Sequence, residues 1–403
     1  MQSPPTNHIK MITFKSYFVP LLACLMVVLA SAPASAATPV ATAEVKEVRP
    51  FQNFKKRITK TFPLSADGIV GVNTRYGEVR VETWDRKEVS FDVTISATAR
   101  NQEEADETFG RVGIDFTDTP NRVTATTSLA NRTKSSFFGL ISVTTGIGSN
   151  DVKIYYTIKM PRGASFDTDS RYCDIYLPDL RGNNRLTLKY GDLVSGSMTG
   201  SNAIVIGYGK LRTEAIGTDS EIELRYSEAT IRSAGDLKYD GRYSEIQIGK
   251  ADEVEIEAAY DEIEIEEATR IDLEGNYNEL QVGTVATLII DGNYGDFEID
   301  RITKTLELEA RYGDIEVKSL AAGFDRVEVD AAYIDINIDI EATAGYRVDL
   351  STRYADIEMA DRNRMQNSQS DKDGSTQTLR GTVSGTGQGL IKITTSYGDI
   401  ELR

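Results

Sequence analysis

Histidine and cysteine are almost missing from this chain of 403 residues, which holds one histidine, two cysteines and one tryptophan. Scarce histidine removes the usual general base and the commonest zinc ligand. Basic residues are also short, 45 Lys and Arg against 62 Asp and Glu for a net charge of −17. Such acidity excludes the basic footprint that nucleic-acid binding needs and suits a cation or a basic partner. Long apolar runs are absent except for "YFVPLLACLMVVLASA" near the N-terminus. That run has about 16 residues and contains Pro20, short of the roughly 20 needed to span a bilayer.

Lys10 and Lys15 precede this run, and small Ala34 and Ala36 follow it in "APASAA". The pattern predicts a signal peptide over residues 1–36, cleaved after Ala36, and therefore export. "LLAC" around Cys24 also resembles a lipid-attachment site, but the apolar "LMVVLA" that follows argues for the general signal peptide. Cleavage removes His8, Cys24 and both lysines, taking the net charge from −17 to near −19. With Cys173 left alone, no internal disulfide can form even in an oxidising compartment.

What is present is tyrosine at a fixed period. Tyr172, Tyr190, Tyr208 and Tyr226 are 18 apart; Tyr226, Tyr243, Tyr260, Tyr277 and Tyr294 are 17 apart. Tyr312 follows after 18, then Tyr333 and Tyr354 after 21 each, and Tyr76 and Tyr397 carry the same signature at the two ends. After each tyrosine comes a small or polar residue, an acid, and two aliphatics separated by one position, as in "YGDIEV" and "YSEIQI". Such alternation is a half-buried strand, and a second strand leads into the next tyrosine. Turns fall at "GD", "SE" or "NE", where glycine would relieve a positive φ.

No helical segment separates these strands, so βαβ crossovers are excluded. The expected fold is all-β: a parallel β-solenoid with 17–18-residue coils, of the β-helix kind and expected right-handed, although spacing itself is silent on hand. Equivalent residues would then lie about 4.8 Å apart, and roughly a dozen coils would make a rod on the order of 55 Å long. Residues 37–61 are expected to be a tether. Residues 62–165 form a less periodic N-terminal β section, with strands at "VSFDVTISATA" and "DVKIYYTIKMP" and a short helix at "NQEEADETFGRV" capped by Asn101. Residues 166–403 are the regular solenoid, interrupted by a polar loop near 361–378 before a last coil that completes the stack.

"NTRYGEVRVETWDRKEV", the helical "NQEEADETF", a strand ending in "KMP" and serial "RYGDIEV" units resemble a bacterial exported family of unassigned function whose members are grouped as candidate adhesins. The chain is similar, more distantly, to an autotransporter-adhesin head domain. The resemblance covers about residues 60–403 and implies a β-solenoid. It carries no catalytic residues to transfer.

Two residues after each tyrosine stands an acidic column: Glu78, Asp174, Asp192, Glu228, Glu245, Glu262, Glu279, Asp296, Asp314, Asp335, Asp356 and Asp399, broken by Lys210. Unit charges about 4.8 Å apart repel by roughly 1 kcal/mol in water. Arg75, Arg171, Lys189, Arg225, Arg242, Arg311 and Arg353 precede the tyrosines and are expected to neutralise the column. Where they are absent, Glu262, Glu279 and Asp296 are the candidates for a divalent cation such as calcium, against the plainer reading of a solvated face that resists aggregation. No cofactor is expected otherwise. The tyrosines are expected inward or at a corner as structural stacks, with sugar stacking the functional alternative. Cys173, lacking a histidine to activate it, is expected to be inert, and Trp84 to pack on the first coils.

The favoured function is a non-catalytic exported envelope or cell-surface protein, an adhesin-like binding or scaffold module whose partner is an envelope protein or a glycan. One alternative is a carbohydrate-active β-helix enzyme using paired carboxylates, with the 21-residue coils or the 361–378 loop as its cleft. Another is a periplasmic partner in envelope-stress signalling.

Overall fold

Strict alternation of aliphatic and polar residues leaves each strand one face to bury, and stacking identical strands buries all those faces along one line. The computed structural model describes residues 50–130 and 152–403, together with the backbone of residues 132–134 and 143–145. The expected signal peptide and residues 37–49 lie outside the described residues. The described chain is all-β, with a parallel sheet closing around an axis in a solenoid-like stack, one short α-helix and one 3₁₀ turn. Each coil has one strand entering its tyrosine and one leaving it, as in Asn202–Gly207 and Lys210–Ile216. Leu186 pairs with Ile204 and Ile204 with Ile222, 18 residues apart, while Ile246, Ile263 and Leu280 pair at 17. These residues are 0–1% exposed and form two ladders, one on the strands entering the tyrosines and one on the strands leaving them, within a single apolar core. Each contributes about 1.5–3 kcal/mol by leaving water.

Both ends of the stack are covered. Strand β1 is Gln52–Pro63, β2 Ile69–Trp84 and β3 Glu88–Ala99. Helix α1 is Gln102–Phe109, followed by β4 Val112–Thr119 and β5 Arg122–Leu129. Short β6 (Arg132–Lys134) and β7 (Val143–Thr145) pair with each other, ahead of β8 Val152–Pro161 and β9 Ser165–Leu177. The first regular coil, β9, stacks on β2 in parallel. Beyond β2, one leg continues into β5 and antiparallel β4, the other into β8, β3 and β1. Asn101 caps α1 by accepting the Glu104 amide at 2.9 Å, and the helix buries Ala105 and Phe109. Residues 52–61, expected within a tether, are therefore part of a strand: Phe54, Ile58 and Phe62 pack on the core at every fourth position, between exposed lysines that masked the pattern.

The far end departs from chain order. Strand Thr386–Ser396 pairs in parallel with Arg326–Ile340 on one side and Ala344–Arg353 on the other. The last coil thus slides between the coils of Tyr333 and Tyr354 instead of completing the stack. Residues expected as a polar loop form a 3₁₀ turn, Ala360–Arg364, and the strands Met365–Asp373 and Thr376–Val383. This hairpin lies antiparallel on Ala344–Arg353 and covers the final edge. Its outer strand is exposed almost throughout, which is why no apolar period announced it.

Candidate functional site: the tyrosine corner and its carboxylates

At the junction of the two strands of each coil, the tyrosine adopts a left-handed backbone. φ lies between 52° and 64° at Tyr76 and the twelve tyrosines that follow it in the ladder. A side chain there costs roughly 1–2 kcal/mol, and glycine following the tyrosine was the expected bearer of this conformation. Gly313 has a positive φ of its own, at 143°, but at the other coils glycine serves another purpose: a Cβ on Gly209 would run into the carbonyl oxygen of Gly191 in the preceding coil. The tyrosine rings stack with centroids 4.7–5.3 Å apart and planes within 17°. Each aromatic pair contributes about 0.5–1.5 kcal/mol, which offsets most of the backbone strain. From Tyr172 onward the rings are 41–58% exposed. They occupy a corner and point outward, because the left-handed residue turns the chain and breaks the alternation that would have carried them inward.

Stacking covers the ring faces and leaves edges and hydroxyls in water. Sugar stacking along the ladder therefore has no free face to use. Tyr354, at the end of the stack with a single ring neighbour, is the most exposed ring at 58%.

The acidic column runs beside the tyrosines, and four of its aspartates have a task that its glutamates lack. Asp174 Oδ1 accepts the backbone N–H of Asp192 at 3.0 Å, and Asp192 Oδ1 that of Lys210 at 3.0 Å. Asp335 accepts from Asp399, and Asp399 from Asp356, at 2.9 and 2.8 Å. These short carboxylates are coil-to-coil clamps. In the glutamate coils the corresponding amides bond carbonyls, as Glu245 N–H does to Ser227 and Glu262 N–H to Ser244, both at 3.0 Å. Freed from that task, Glu245 and Glu279 accept only from Gln247 and Gln281 on their own strands. Asp314, partly desolvated and repelled by Asp296 and Asp335, titrates above the ordinary aspartate range.

None of the seven cations that precede the tyrosines pairs with the carboxylate column among the described residues. The left-handed corner leaves them on the strand that enters the tyrosine, while the carboxylate column lies on the strand that leaves it. Arg225 instead bonds Asp240 at 2.8 Å, and Lys189 lies over the rings of Tyr190 and Tyr208. Compensation comes from Arg80 on Glu78, Lys210 on Glu228 and Lys372 on Asp356. The cation candidates Glu262, Glu279 and Asp296 stand one per coil, with Glu262 and Glu279 in direct register. Among the described residues no group of three or more Asp, Glu, His or Cys side chains converges as a metal site.

Cys173 is buried, and burial pushes its thiol up to about 12, helped by Asp174 and Glu78, which disfavours the thiolate. Trp84 is half-buried at the end of β2, where its Nε1 donates to the Glu88 carbonyl at 2.8 Å under the Arg86 guanidinium. Among the described residues no helix is long and apolar enough to cross a membrane.

A family profile matches residues 72–403, the stretch that holds the two-strand coils and their tyrosine corner. The chain belongs to the Toastrack DUF4097 family. No curated protein matches it. Among solved structures, it is similar to a candidate cell adhesion protein from Clostridium sporogenes, at 8% identity over 87% of this chain and 99% of that one, TM-score 0.17. Candidate adhesins from Parabacteroides distasonis (9% identity, 71% and 94% covered, TM-score 0.27) and Bacteroides fragilis (12%, 86% and 97%, TM-score 0.24) also match. Superpositions this loose leave the argument to the chain's own geometry.

Inside the Toastrack stack lies a polar column that the sequence reading passed over. The residue after each tyrosine points inward, and in the middle coils it is Ser227, Ser244, Asp261 and Asn278, all 7% exposed or less. Asp261 accepts the Ser244 amide at 2.9 Å and the Tyr239 hydroxyl at 2.6 Å, while its own amide donates to Asn278 Oδ1 at 3.0 Å. Desolvation pushes the Asp261 carboxyl up to about 6, although these donors and Arg225 favour its charge. Gly241 makes room for it, since a Cβ there would meet both Asp261 and Tyr239. The detectable signal was Gly241 facing "YDE", a small residue opposite a polar one at an inward position.

Proposed function

We propose that the chain is a non-catalytic, exported envelope or cell-surface protein that works as an adhesin-like binding or scaffold module through an extended acidic face. One observation carries this reading. Residues 243–300 hold 17 Asp and Glu against 2 Lys and Arg, whereas residues 50–130 are nearly balanced at 12 against 11. Both cations in the acidic belt are engaged, Lys250 with Glu267 and Arg270 with Glu253 and Asp272. The belt is therefore a rigid, regularly spaced array of negative charge, and a shallow groove of about 820 Å³ runs into it between the rings of Tyr208 to Tyr260 and the carboxylates Glu228, Glu245 and Glu262. Such a field steers basic partners and suppresses acidic ones.

The places expected to form an enzymatic cleft support the same reading. The hairpin at 365–383 is spent covering the end of the stack, and the extra residues after Leu320 fold into a turn that buries Ala321 and Phe324. Crosslinking and capture from intact cells, with surface-protease accessibility read in the same samples, tests the proposal. We expect an envelope or surface partner whose capture drops when Glu245, Glu262 and Glu279 are changed to Gln. Neither exposure nor partner, or polysaccharide cleavage abolished by changing one carboxylate pair, would overturn it.

A further inference from the structure

A solenoid of this length has no sulfur staple: Cys173 is the free, buried cysteine of the described residues. Its exposed corner instead carries thirteen phenols in one unbroken stack. Adjacent rings between Tyr243 and Tyr312 lie 4.7–4.8 Å apart and within 7° of parallel, and each is about half exposed. Outside the ladder, Tyr156, Tyr239 and Tyr346 are buried and bonded to Thr127, Asp261 and Asp361, while exposed Tyr155 and half-buried Tyr176, which lies under Arg80, stack on no other ring among the described residues. Ladder rings sit on the solvent side of a fixed backbone, so their side chains can reorient on the picosecond to nanosecond scale while the Cα positions stay one coil apart.

We propose that this ladder is a site of oxidative modification, in which neighbouring tyrosines couple to dityrosine and join successive coils covalently. The oxidant is hydrogen peroxide acting through a haem peroxidase. Each of two adjacent phenols gives one electron and its phenolic proton to the oxidised haem. The two tyrosyl radicals join through ortho ring carbons, forming one carbon–carbon bond. The hydrogens on those carbons move to the phenoxyl oxygens as both rings regain aromaticity. The protein loses two electrons and two protons, which reduce one peroxide to two waters. A radical in the stack meets a neighbouring phenol at an effective concentration on the order of millimolar or higher, so coupling within the chain outruns coupling between chains in dilute solution.

The order of the last coils makes the proposal sharply testable. Tyr397 stacks on Tyr333 and on Tyr354, at 4.8 and 4.9 Å, although Tyr354 follows Tyr333 in the chain. Full-length protein at micromolar concentration is treated with peroxidase and peroxide, and dityrosine is read by fluorescence in the monomer band and by mass spectrometry of crosslinked peptides. We expect links between stack neighbours, including Tyr333 to Tyr397, each with loss of two hydrogens. A second protein changes Tyr172, Tyr208, Tyr243, Tyr277, Tyr312 and Tyr397 to Phe, which keeps the stack and leaves no two phenols adjacent. It should lose nearly all monomer dityrosine while retaining its circular dichroism. Links only between molecules, links from Tyr333 to Tyr354 in place of Tyr397, or undiminished signal in a folded phenylalanine protein would each overturn the proposal. If that protein fails to fold, the peptide map of the unaltered chain decides alone.

Discussion

The flanking coils and the middle coils carry the same charge in the same column, yet one methylene separates their roles. At Asp174, Asp192, Asp335 and Asp399 the carboxylate is short enough to hold the next coil's amide. At Glu245, Glu262 and Glu279 the amides are satisfied by carbonyls, and the longer side chains leave their charge in solvent. The interiors differ in parallel: glycine fills the position after the tyrosine at Gly191 and Gly209, while Ser244, Asp261 and Asn278 occupy it in the middle. Acid in the flanks is thus part of the framework, and acid in the middle is available surface. A ladder of one residue class can hold two functions when reach decides which groups it meets.

The strongest way to break this comparison is to crowd the flank interior. Gly209→Ala forces a methyl group into the Gly191 carbonyl, and we expect a loss of about 3 kcal/mol in urea unfolding. In the middle, Ser244→Ala removes the acceptor of the Ser227 amide and the donor to the Arg242 carbonyl, and should cost about 1–2 kcal/mol.

Asp261→Asn tests the interior by pH. The folded carboxyl titrates near 6, above its ordinary value of 3.8, so the folded state binds the extra proton. Its contribution is fully present below the lower value and is lost as pH rises towards the upper one. Stability measured from pH 3.5 to 7 should therefore fall more steeply with rising pH in the unaltered protein than in the Asn variant. The Asn amide can still meet the Tyr239 hydroxyl, which is able to accept.

The column itself gives the smaller pair. Asp192→Ala leaves the Lys210 amide without its acceptor and should cost about 1 kcal/mol. Glu262→Gln removes a repelling charge that bonds nothing among the described residues and should change stability by no more than a few tenths of a kcal/mol. Equal losses in the two variants would erase the distinction between clamp and surface.

Much of this was readable before the structure. The tyrosine period, the two strands per coil, the early coil at Tyr76 and the strand at 88–99 all follow from repeats and alternation. What escaped were features with no local signature. The strand at 52–63 hides behind Lys55, Lys56, Arg57 and Lys60. The hairpin at 365–383 is an exposed cap with little apolar content. The cations before the tyrosines were misassigned because sequence proximity ignores a corner that sends position i−1 and position i+2 to different legs of the coil. The inward place of Asp261 follows only from its parity relative to the corner.

By itself the sequence determined the unit: a coil whose length, inward aliphatics and corner tyrosine are written into every repeat. It could not determine the order of units at the far end, because every coil offers its neighbour the same hydrogen-bonding edges and nearly the same side chains. Only the tertiary structure decided that Thr386–Ser396 enters between the coils of Tyr333 and Tyr354. There this strand and the following Ile400–Leu402 pair on both edges and bury Ile391, Ile393, Ile400 and Leu402, while the hairpin, which has few apolar side chains to bury, takes the exposed end.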